Sequence, residues 1–171
     1  MSGAAAPEWL REFTIPVNWQ VLGLPQAPEQ ALARMAVFGP LGDGKWEAAD
    51  TINVTGFTGW PTFYDVYHSA DSVLRALHST DITVKALPVP PIQWTAAVRS
   101  SGTALFGDQS VWLQQSHYVA GSEQPHASRL TVHTILVDSA RQKQLADNII
   151  QLSEEVYHGF LNALTKEQRS G

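Results

Sequence analysis

Residues 108–164 read DQSVWLQQSHYVAGSEQPHASRLTVHTILVDSARQKQLADNIIQLSEEVYHGFLNAL and contain the clearest structural signals in the chain. Alternating apolar and polar residues predict two strands, over 108–121 and 128–138, joined by a short loop into an antiparallel hairpin. An apolar stripe at intervals of three and four residues then predicts one long helix over 140–164. A helix of this length spans roughly 38 Å, which is enough to cross every strand of a sheet.

The start and the buried side of this helix can also be predicted. Ser139 and Gln142 form an S-x-x-Q capping box at the point where the second strand ends. The stripe expected to cover the sheet consists of Leu145, Ile149, Leu152, Val156 and Phe160, widened by Ile150, Tyr157, Leu161 and Leu164. We therefore expect the hairpin and this helix to be the core against which the rest of the chain packs.

Upstream of this region the patterns predict further strands and one more helix. Strands are expected over residues 12–16, 17–22, 31–38, 51–58, 82–87 and 94–106. Between 62 and 77 the period changes to that of an amphipathic helix, which begins at a capping box of Thr62 and Asp65. Turns are expected at 42–44 and 107–108, and either a β-bulge or a close backbone approach at Gly56. The short connections favour an α+β fold with a mainly antiparallel sheet flanked by helices.

Composition narrows the class of protein. The 171 residues are 44% hydrophobic and 16% charged, which predicts a single globular domain over 1–171, with residues 1–6 and 166–171 as flexible ends. The net charge of −5 disfavours nucleic acid as a partner. Cysteine is absent, so disulfides, thiolate nucleophiles and cysteine-based zinc sites are excluded. No glycine pattern matches a phosphate or dinucleotide loop, and we expect no cofactor.

Targeting signals are also missing from the sequence. The N-terminal residues MSGAAAPEWLREF lack the basic and apolar regions of a signal peptide, and no apolar window is long enough to span a membrane. The sequence therefore predicts a cytoplasmic protein, although a mature exported domain would look the same.

Histidines provide one candidate site. A hairpin turning around Gln124–Pro125 would place His117 opposite His133 on one sheet face, where two imidazoles could bind a metal or share a proton. The alternative is that both are ordinary histidines at the wetter end of a sheet face, because no third ligand occurs at a matching spacing. Glu154 and His158 have the i, i+4 spacing of a surface pair.

Tryptophans provide the other candidate. The chain has six, and several lie at predicted strand ends or beside proline and glycine, where a ring can be half exposed. Most are expected to fill the core, with Trp46 and Trp60 the best candidates for exposure. Together these observations define a candidate ligand-binding set that consists of Trp46, Trp60, Trp112, Tyr118, His117 and His133.

Two short patterns carry a family resemblance. An F-x-I-P-x-x-W entry (Phe13, Ile15, Pro16, Trp19) and a later Q-Q-x-x-Y-V-A-G string (Gln114, Gln115, Tyr118 to Gly121), followed by a long C-terminal helix, resemble the actinobacterial LpqN/LpqT group. That group belongs to the PsbP-like fold, which also includes a nuclear Ran-binding factor. The resemblance implies an α/β/α sandwich and a non-enzymatic binding, accessory or adaptor role. Many actinobacterial members are envelope lipoproteins, whereas this sequence has no lipobox cysteine.

The functional expectation is therefore a non-catalytic binding protein that holds a protein partner or an apolar ligand. The site is expected in a groove between sheet and helix, or on an exposed sheet face. A cytoplasmic chaperone or adaptor for a secreted protein is the main alternative, and a histidine-based enzyme or metal site is the third. No catalytic constellation such as a G-x-S-x-G elbow occurs in the sequence.

Overall fold

A seven-stranded antiparallel sheet forms the centre of the structure. The structure is a computed structural model, and it describes residues 8–10, 13–22, 32–39, 46–121 and 127–169. The strands are β1 (Trp19–Val21), β2 (Leu32–Phe38), β3 (Ala48–Thr58), β4 (Thr80–Ala86), β5 (Ala96–Phe106), β6 (Gln109–Gly121) and β7 (Ala127–Asp138). Their order across the sheet is β1-β2-β3-β7-β6-β5-β4. The predicted α+β class with a mainly antiparallel sheet is confirmed. The turn predicted at 42–44, the loop around Gln124–Pro125 and residues 1–6 and 170–171 lie outside the described residues.

The long helix α3 (Ala146–Arg169) covers one face of this sheet, which we call the helix face. All five residues of the predicted stripe are buried, packing against β3, β6 and β7 among other elements. Ile150 is 59% exposed, because it follows Ile149 by one residue and therefore points about 100° away from the buried stripe. The helix includes residues 166–169, which were expected to belong to a flexible end.

The start of α3 differs from the prediction. A 3₁₀ turn at Ser139–Arg141 comes first, and the Asp138 side chain accepts a hydrogen bond from the backbone N–H of Ala140 at 3.1 Å. The Ser139 hydroxyl is instead bonded to the hydroxyl of Ser110 at 2.8 Å. The prediction of a capping box at Ser139 and Gln142 is therefore wrong, because the Ser139 hydroxyl is hydrogen-bonded to Ser110 of β6.

The predicted helix over 62–77 is present as two short helices, α1 (Phe63–Ser69) and α2 (Ser72–Ala76). The capping box of Thr62 and Asp65 is confirmed. The break follows Ala70, whose carbonyl accepts a hydrogen bond from the Ser100 hydroxyl of β5 at 2.7 Å. In a continuous helix that carbonyl would instead accept from the residue four positions later.

Helices α1 and α2 lie on the other face of the sheet. Val66 and Ala70 pack against Val98 of β5, whereas the preceding residue, Ala97, packs beneath α3. Successive side chains of a strand point to opposite faces. The sheet therefore lies between helices, as the predicted α/β/α arrangement requires.

Two upstream predictions are wrong. Residues 13–16 form no strand, because the chain turns at Pro16 and Asn18: the N–H of Trp19 donates to the Pro16 carbonyl at 3.2 Å, and Asn18 has a φ of 71°. The pairing of β3 with β7 continues without a shift through Gly56, so the bulge predicted there is absent.

A pair of neighbouring substitutions tests the packing of α3. Leu152→Ala removes a side chain that is only 1% exposed, and should lower the free energy of unfolding by ~2–5 kcal/mol. Gln151→Ala, on the exposed side of the same turn, should change it by less than about 0.5 kcal/mol. Urea denaturation of both variants measures the difference, and equal losses would contradict the packing described for this helix.

Candidate functional site

The register of the β6–β7 hairpin shows whether His117 and His133 face each other as predicted. His117 lies opposite Val132, and His133 lies opposite Ser116. Each residue of β6 therefore faces a residue of β7 that is one position away from its predicted partner. A slip of one residue moves a side chain to the other face of a sheet. The predicted facing of His117 and His133 is wrong, and the two imidazoles lie on opposite faces.

His133 instead belongs to a buried polar group on the helix face. Its Nε2 is hydrogen-bonded to Oδ1 of Asp50 on β3, and both side chains are fully buried. From β2, Arg34 donates from Nε to Oδ2 of Asp50 at 2.9 Å, and its Nη2 lies 2.8 Å from the same oxygen. We call Arg34, Asp50 and His133 the buried trio.

Strand register brings the buried trio together. Ile52 of β3 pairs with Arg34 on one side and with His133 on the other. Asp50 is two residues before Ile52, so its side chain lies on the same face and within diagonal reach of both neighbours. Three strands therefore supply the three side chains, at positions that are 16 and 83 residues apart from Asp50 along the chain.

The environment of Asp50 favours its ionised form. Burial of the carboxyl would raise its pKa, but the electrostatic attraction and hydrogen bond of His133, together with those of Arg34, outweigh it. The pKa of Asp50 is consequently held below its ordinary value of 3.8. By contrast, burial alone acts on His117, whose pKa is lowered on the opposite face of the sheet.

The buried trio is closed to solvent and is therefore part of the fold. Its three side chains are at most 9% exposed, and the Arg34 guanidinium lies 5.8 Å from the centre of the Phe13 ring. Within the described residues, no group of three histidine, aspartate or glutamate side chains has the arrangement of a metal site. Nδ1 of His133 and Nη1 of Arg34 have no hydrogen-bond partner among the residues that the structure describes.

Removing the charge of the Asp50 carboxylate should strongly destabilise the fold. Asp50→Asn leaves the guanidinium of Arg34 buried without its counter-charge, and should lower the free energy of unfolding at pH 7 by ~3–5 kcal/mol. Asp108→Asn, at an exposed turn, is the matched control and should cost less than about 0.5 kcal/mol. Chemical denaturation followed by circular dichroism compares them. A near-neutral Asp50→Asn variant would show that the buried trio contributes little.

The Asp50 carboxylate also makes the stability of the fold depend on pH. Because the pKa of Asp50 is lower in the folded protein, its contribution is complete above the unfolded value of 3.8 and is lost as the pH falls through the folded pKa. The difference in unfolding free energy between the wild type and Asp50→Asn should therefore shrink as the pH is lowered from about 5 to 2.5. Denaturation curves across this range check it, and a difference that is unchanged at pH 2.5 would contradict the assignment.

A second polar group on the helix face involves Arg99 of β5. Its Nε donates to the Ser116 hydroxyl at 2.9 Å, and its Nη1 lies 3.7 Å from Oε1 of Glu154 on α3. Glu154 also pairs with His158 at 3.1 Å on the exposed side of the helix, which confirms the predicted surface pair. These contacts link the sheet to α3.

Among the described residues, packed side chains occupy much of the space between the sheet and α3, where a groove was predicted. Tyr118 is fully buried and packs against Phe160, and burial raises its pKa despite the opposing effect of the Arg99 charge. Trp112 is half-buried against the core beneath the N-terminal part of α3. A cavity beside Tyr118, also lined by Trp9, Arg129 and Phe160, measures only about 30 Å³. Pockets for drug-sized ligands are roughly 300–1,000 Å³, so this cavity is too small for such a ligand.

Trp46 and Trp60 are 41% and 40% exposed, which confirms the prediction that these two rings reach the surface. They flank β3 at its opposite ends, which are separated by about 35 Å at the standard rise. His117 and His133 occupy different faces, and Tyr118 is enclosed. The six predicted residues therefore do not form one site.

We call a set of five aromatic side chains, on α1 and beside the ends of β3 and β5, the aromatic surface. It consists of Trp60, Phe63, Tyr64, Tyr67 and Trp94. The indoles of Trp60 and Trp94 stack, with centroids 5.3 Å apart and planes inclined by 11°. Phe63 and Tyr67 are in contact at 5.7 Å, and Tyr64, which is 67% exposed, lies 4.0 Å from the His68 ring.

The local structure explains why these rings are exposed. On α1 the buried positions are Val66 and Ala70, and the rings occupy its remaining sides. Trp94 has a φ of 60°, in the left-handed region that bulky residues rarely adopt. Such backbone strain persists only where the surrounding structure imposes it, and it is frequent at binding sites.

Sequence reasoning missed most of the important residues. Asp50 and Arg34 are single charged residues within strands, and no spacing rule connects them to His133. Phe63 and Tyr67 fit the apolar stripe of the amphipathic helix predicted between 62 and 77, but both are exposed. The stacking of Trp94 on Trp60 depends on a contact between residues 34 positions apart in the sequence. The run of aromatic residues in 60–67 was the one available signal.

Comparison with known proteins supports the fold. The chain is similar to the crystal structure of LpqN, a protein involved in cell envelope biogenesis of Mycobacterium tuberculosis, with a TM-score of 0.65 and 16% sequence identity. The match covers 84% of this chain and 79% of LpqN. The sequence matches no protein-family model and no curated protein. At this identity the likeness establishes an LpqN-like fold and nothing about function.

The helices were also compared with the requirements of a membrane span. Among the described residues, no helix is both long enough and apolar enough to cross a bilayer.

Proposed function

We propose that this protein is a non-catalytic binding or adaptor protein of the PsbP-like fold, and that it contacts a protein partner through the aromatic surface. The observation that carries the proposal is the presence of five aromatic side chains on α1 and beside the ends of β3 and β5, four of which are at least 36% exposed. Tryptophan and tyrosine are enriched in the energetically dominant parts of protein interfaces, because they bury large areas with few rotatable bonds.

Two features support binding rather than catalysis. The buried trio is enclosed beneath α3, and each of its members is used to pair strands. Catalytic side chains must touch a substrate, which these residues cannot do in the structure described. An accessory role is also compatible with the likeness to LpqN, which is described as involved in cell envelope biogenesis.

A protein partner is favoured over an enclosed apolar ligand. The cavity beside Tyr118 holds little more than one water molecule. The aromatic surface, by contrast, consists of side chains at the outside of α1 and at the ends of β3 and β5. A surface of this kind can be covered by another polypeptide without any opening of the fold.

Site-specific crosslinking tests the proposal. A photoreactive benzoylphenylalanine in place of Tyr64 should crosslink a discrete protein in the source cells, and the same group in place of Trp46 should not, although both positions are exposed. With that partner purified, Trp60→Ala should weaken binding at least about tenfold, while Trp46→Ala should leave it unchanged. Partner binding that is equally strong in both variants would refute the role of the aromatic surface.

A further inference from the structure

Arg129 of β7 differs in its pairing from the other arginines of the helix face. It precedes His133 by four positions, so its side chain lies on the same face of the sheet. Arg34 and Arg99 each pair with a carboxylate, whereas Arg129 is in none of the ion pairs found among the described residues. Arg129 is nevertheless half-buried. A guanidinium that is partly removed from water is stabilised by an anionic partner, and this position favours one from another molecule.

The residues on either side of Arg129 are small and leave space beside it. Gly56 of β3 and Ala120 of β6 occupy the paired positions on the two neighbouring strands. Arg129 and Ala120 line the cavity beside Tyr118, which measures about 30 Å³ and is open to solvent on one side. A bound water needs about 10–15 Å³, so the cavity has space for about two water-sized atoms. The two oxygens of one carboxylate have this size.

The rest of the cavity lining suits a carboxylate attached to an apolar group. Thr131, which is 2% exposed and lies two positions after Arg129, adds a hydroxyl that can donate a hydrogen bond. Trp9, Phe160 and Leu164 supply apolar surface. Among the described lining residues Arg129 is the one charged group, so no acidic side chain of that lining repels an anion.

From these features we propose that the cavity at Arg129 binds a carboxylate that is carried on a short apolar group. A guanidinium can donate two parallel hydrogen bonds to the two oxygens of a carboxylate. The net charge of −5 repels anions from the protein as a whole, so binding depends on this local cation. The carboxylate belongs either to a free small acid or to the C-terminus of a polypeptide, which present the same group.

Size and charge favour a carboxylate over a phosphate. A phosphate group carries about two negative charges and three acceptor oxygens. The cavity, by contrast, has one guanidinium in its described lining and space for about two water-sized atoms. Inorganic phosphate is therefore a suitable negative control for the selectivity of the site.

Nuclear magnetic resonance of the full-length protein tests the inference, because Trp9 lines the cavity. Its indole N–H signal, assigned by its loss in Trp9→Phe, is followed as butyrate, butyramide or inorganic phosphate is added. Butyrate should shift this signal saturably, whereas phosphate and butyramide, which has the size of butyrate without its charge, should not. Arg129→Gln should weaken butyrate binding at least about tenfold. Arg141→Gln is the matched control and should leave it unchanged, because that guanidinium pairs with Glu47 outside the cavity.

A second variant fills the cavity and keeps the charge. Ala163 lies on α3 and is half-buried in the cavity lining. Ala163→Leu should abolish butyrate binding, because the larger side chain occupies the space that the carboxylate needs. Circular dichroism establishes that each variant is folded. If Arg129→Gln does not fold, the result for Ala163→Leu decides.

Three results would each overturn the inference: equal shifts with butyramide, saturation by phosphate at the same concentrations, or butyrate binding that a folded cavity variant leaves unchanged. Two peptides that differ only in a free or an amidated C-terminus identify the source of the carboxylate. Binding of the free form more tightly than butyrate assigns the site to a polypeptide. Butyrate binding without binding of either peptide assigns it to a free small acid.

The cavity at Arg129 is separate from the site of the proposed function. Three of the five members of the aromatic surface lie on α1, which packs on the other face of the sheet. A partner crosslinked from the Tyr64 position, with no binding of butyrate or of the free peptide, would overturn the inference and leave the proposed function standing. Charge-dependent butyrate binding without that crosslink would do the reverse.

Discussion

The ion pair of Asp50 with Arg34, completed by His133, is the interaction on which the arrangement of the central strands depends. A carboxylate and a guanidinium that are removed from water are tolerated only when they satisfy one another. Here the partners come from three adjacent strands, and Ile52 sets their relative positions through its pairing with Arg34 and His133. A one-residue slip of β2 or β7 would move one partner to the other sheet face and leave a buried charge unpaired. The apolar pattern favours one face for burial, and the buried trio adds a penalty against the wrong register.

The same reasoning explains which parts of the fold could be predicted from the sequence. Strands β5, β6 and β7 and the buried stripe of α3 could be predicted because each forms a long run with a strand-like or helical pattern of apolar residues. The ends of elements were less predictable. Ser139 and Gln142 have the spacing of a capping box, but Ser110 from a neighbouring strand binds the serine and Asp138 supplies the cap. The break after Ala70 depends on Ser100, which is 30 residues away in the sequence. Tertiary hydrogen bonds decide such points, and local patterns do not contain them.

The candidate site was less predictable than the fold for a related reason. Placing His117 opposite His133 required the exact register of a hairpin, and an error of one residue separates the two side chains by the thickness of the sheet. The exposure of Trp60 could be anticipated from its place beside proline and glycine. Its stacking on Trp94 could not, because it depends on how the ends of β3 and β5 meet α1. Periodicity identifies the side of a helix that can be buried, but it does not show how much of that side the sheet covers.

The side chains between the sheet and α3 differ in their surroundings from those at the aromatic end of the sheet. The space between sheet and α3 is occupied by Tyr118, Phe160 and their neighbours, and the polar side chains there pair with one another. Residues that specify the fold are therefore unavailable for a ligand. Val66 and Ala70 pack α1 against the sheet, and the aromatic side chains of that short helix are exposed. Since anchoring requires so few residues, the outward positions of α1 can differ between proteins of this fold without loss of the sheet. A chain can therefore share an LpqN-like fold over most of its length at only 16% identity.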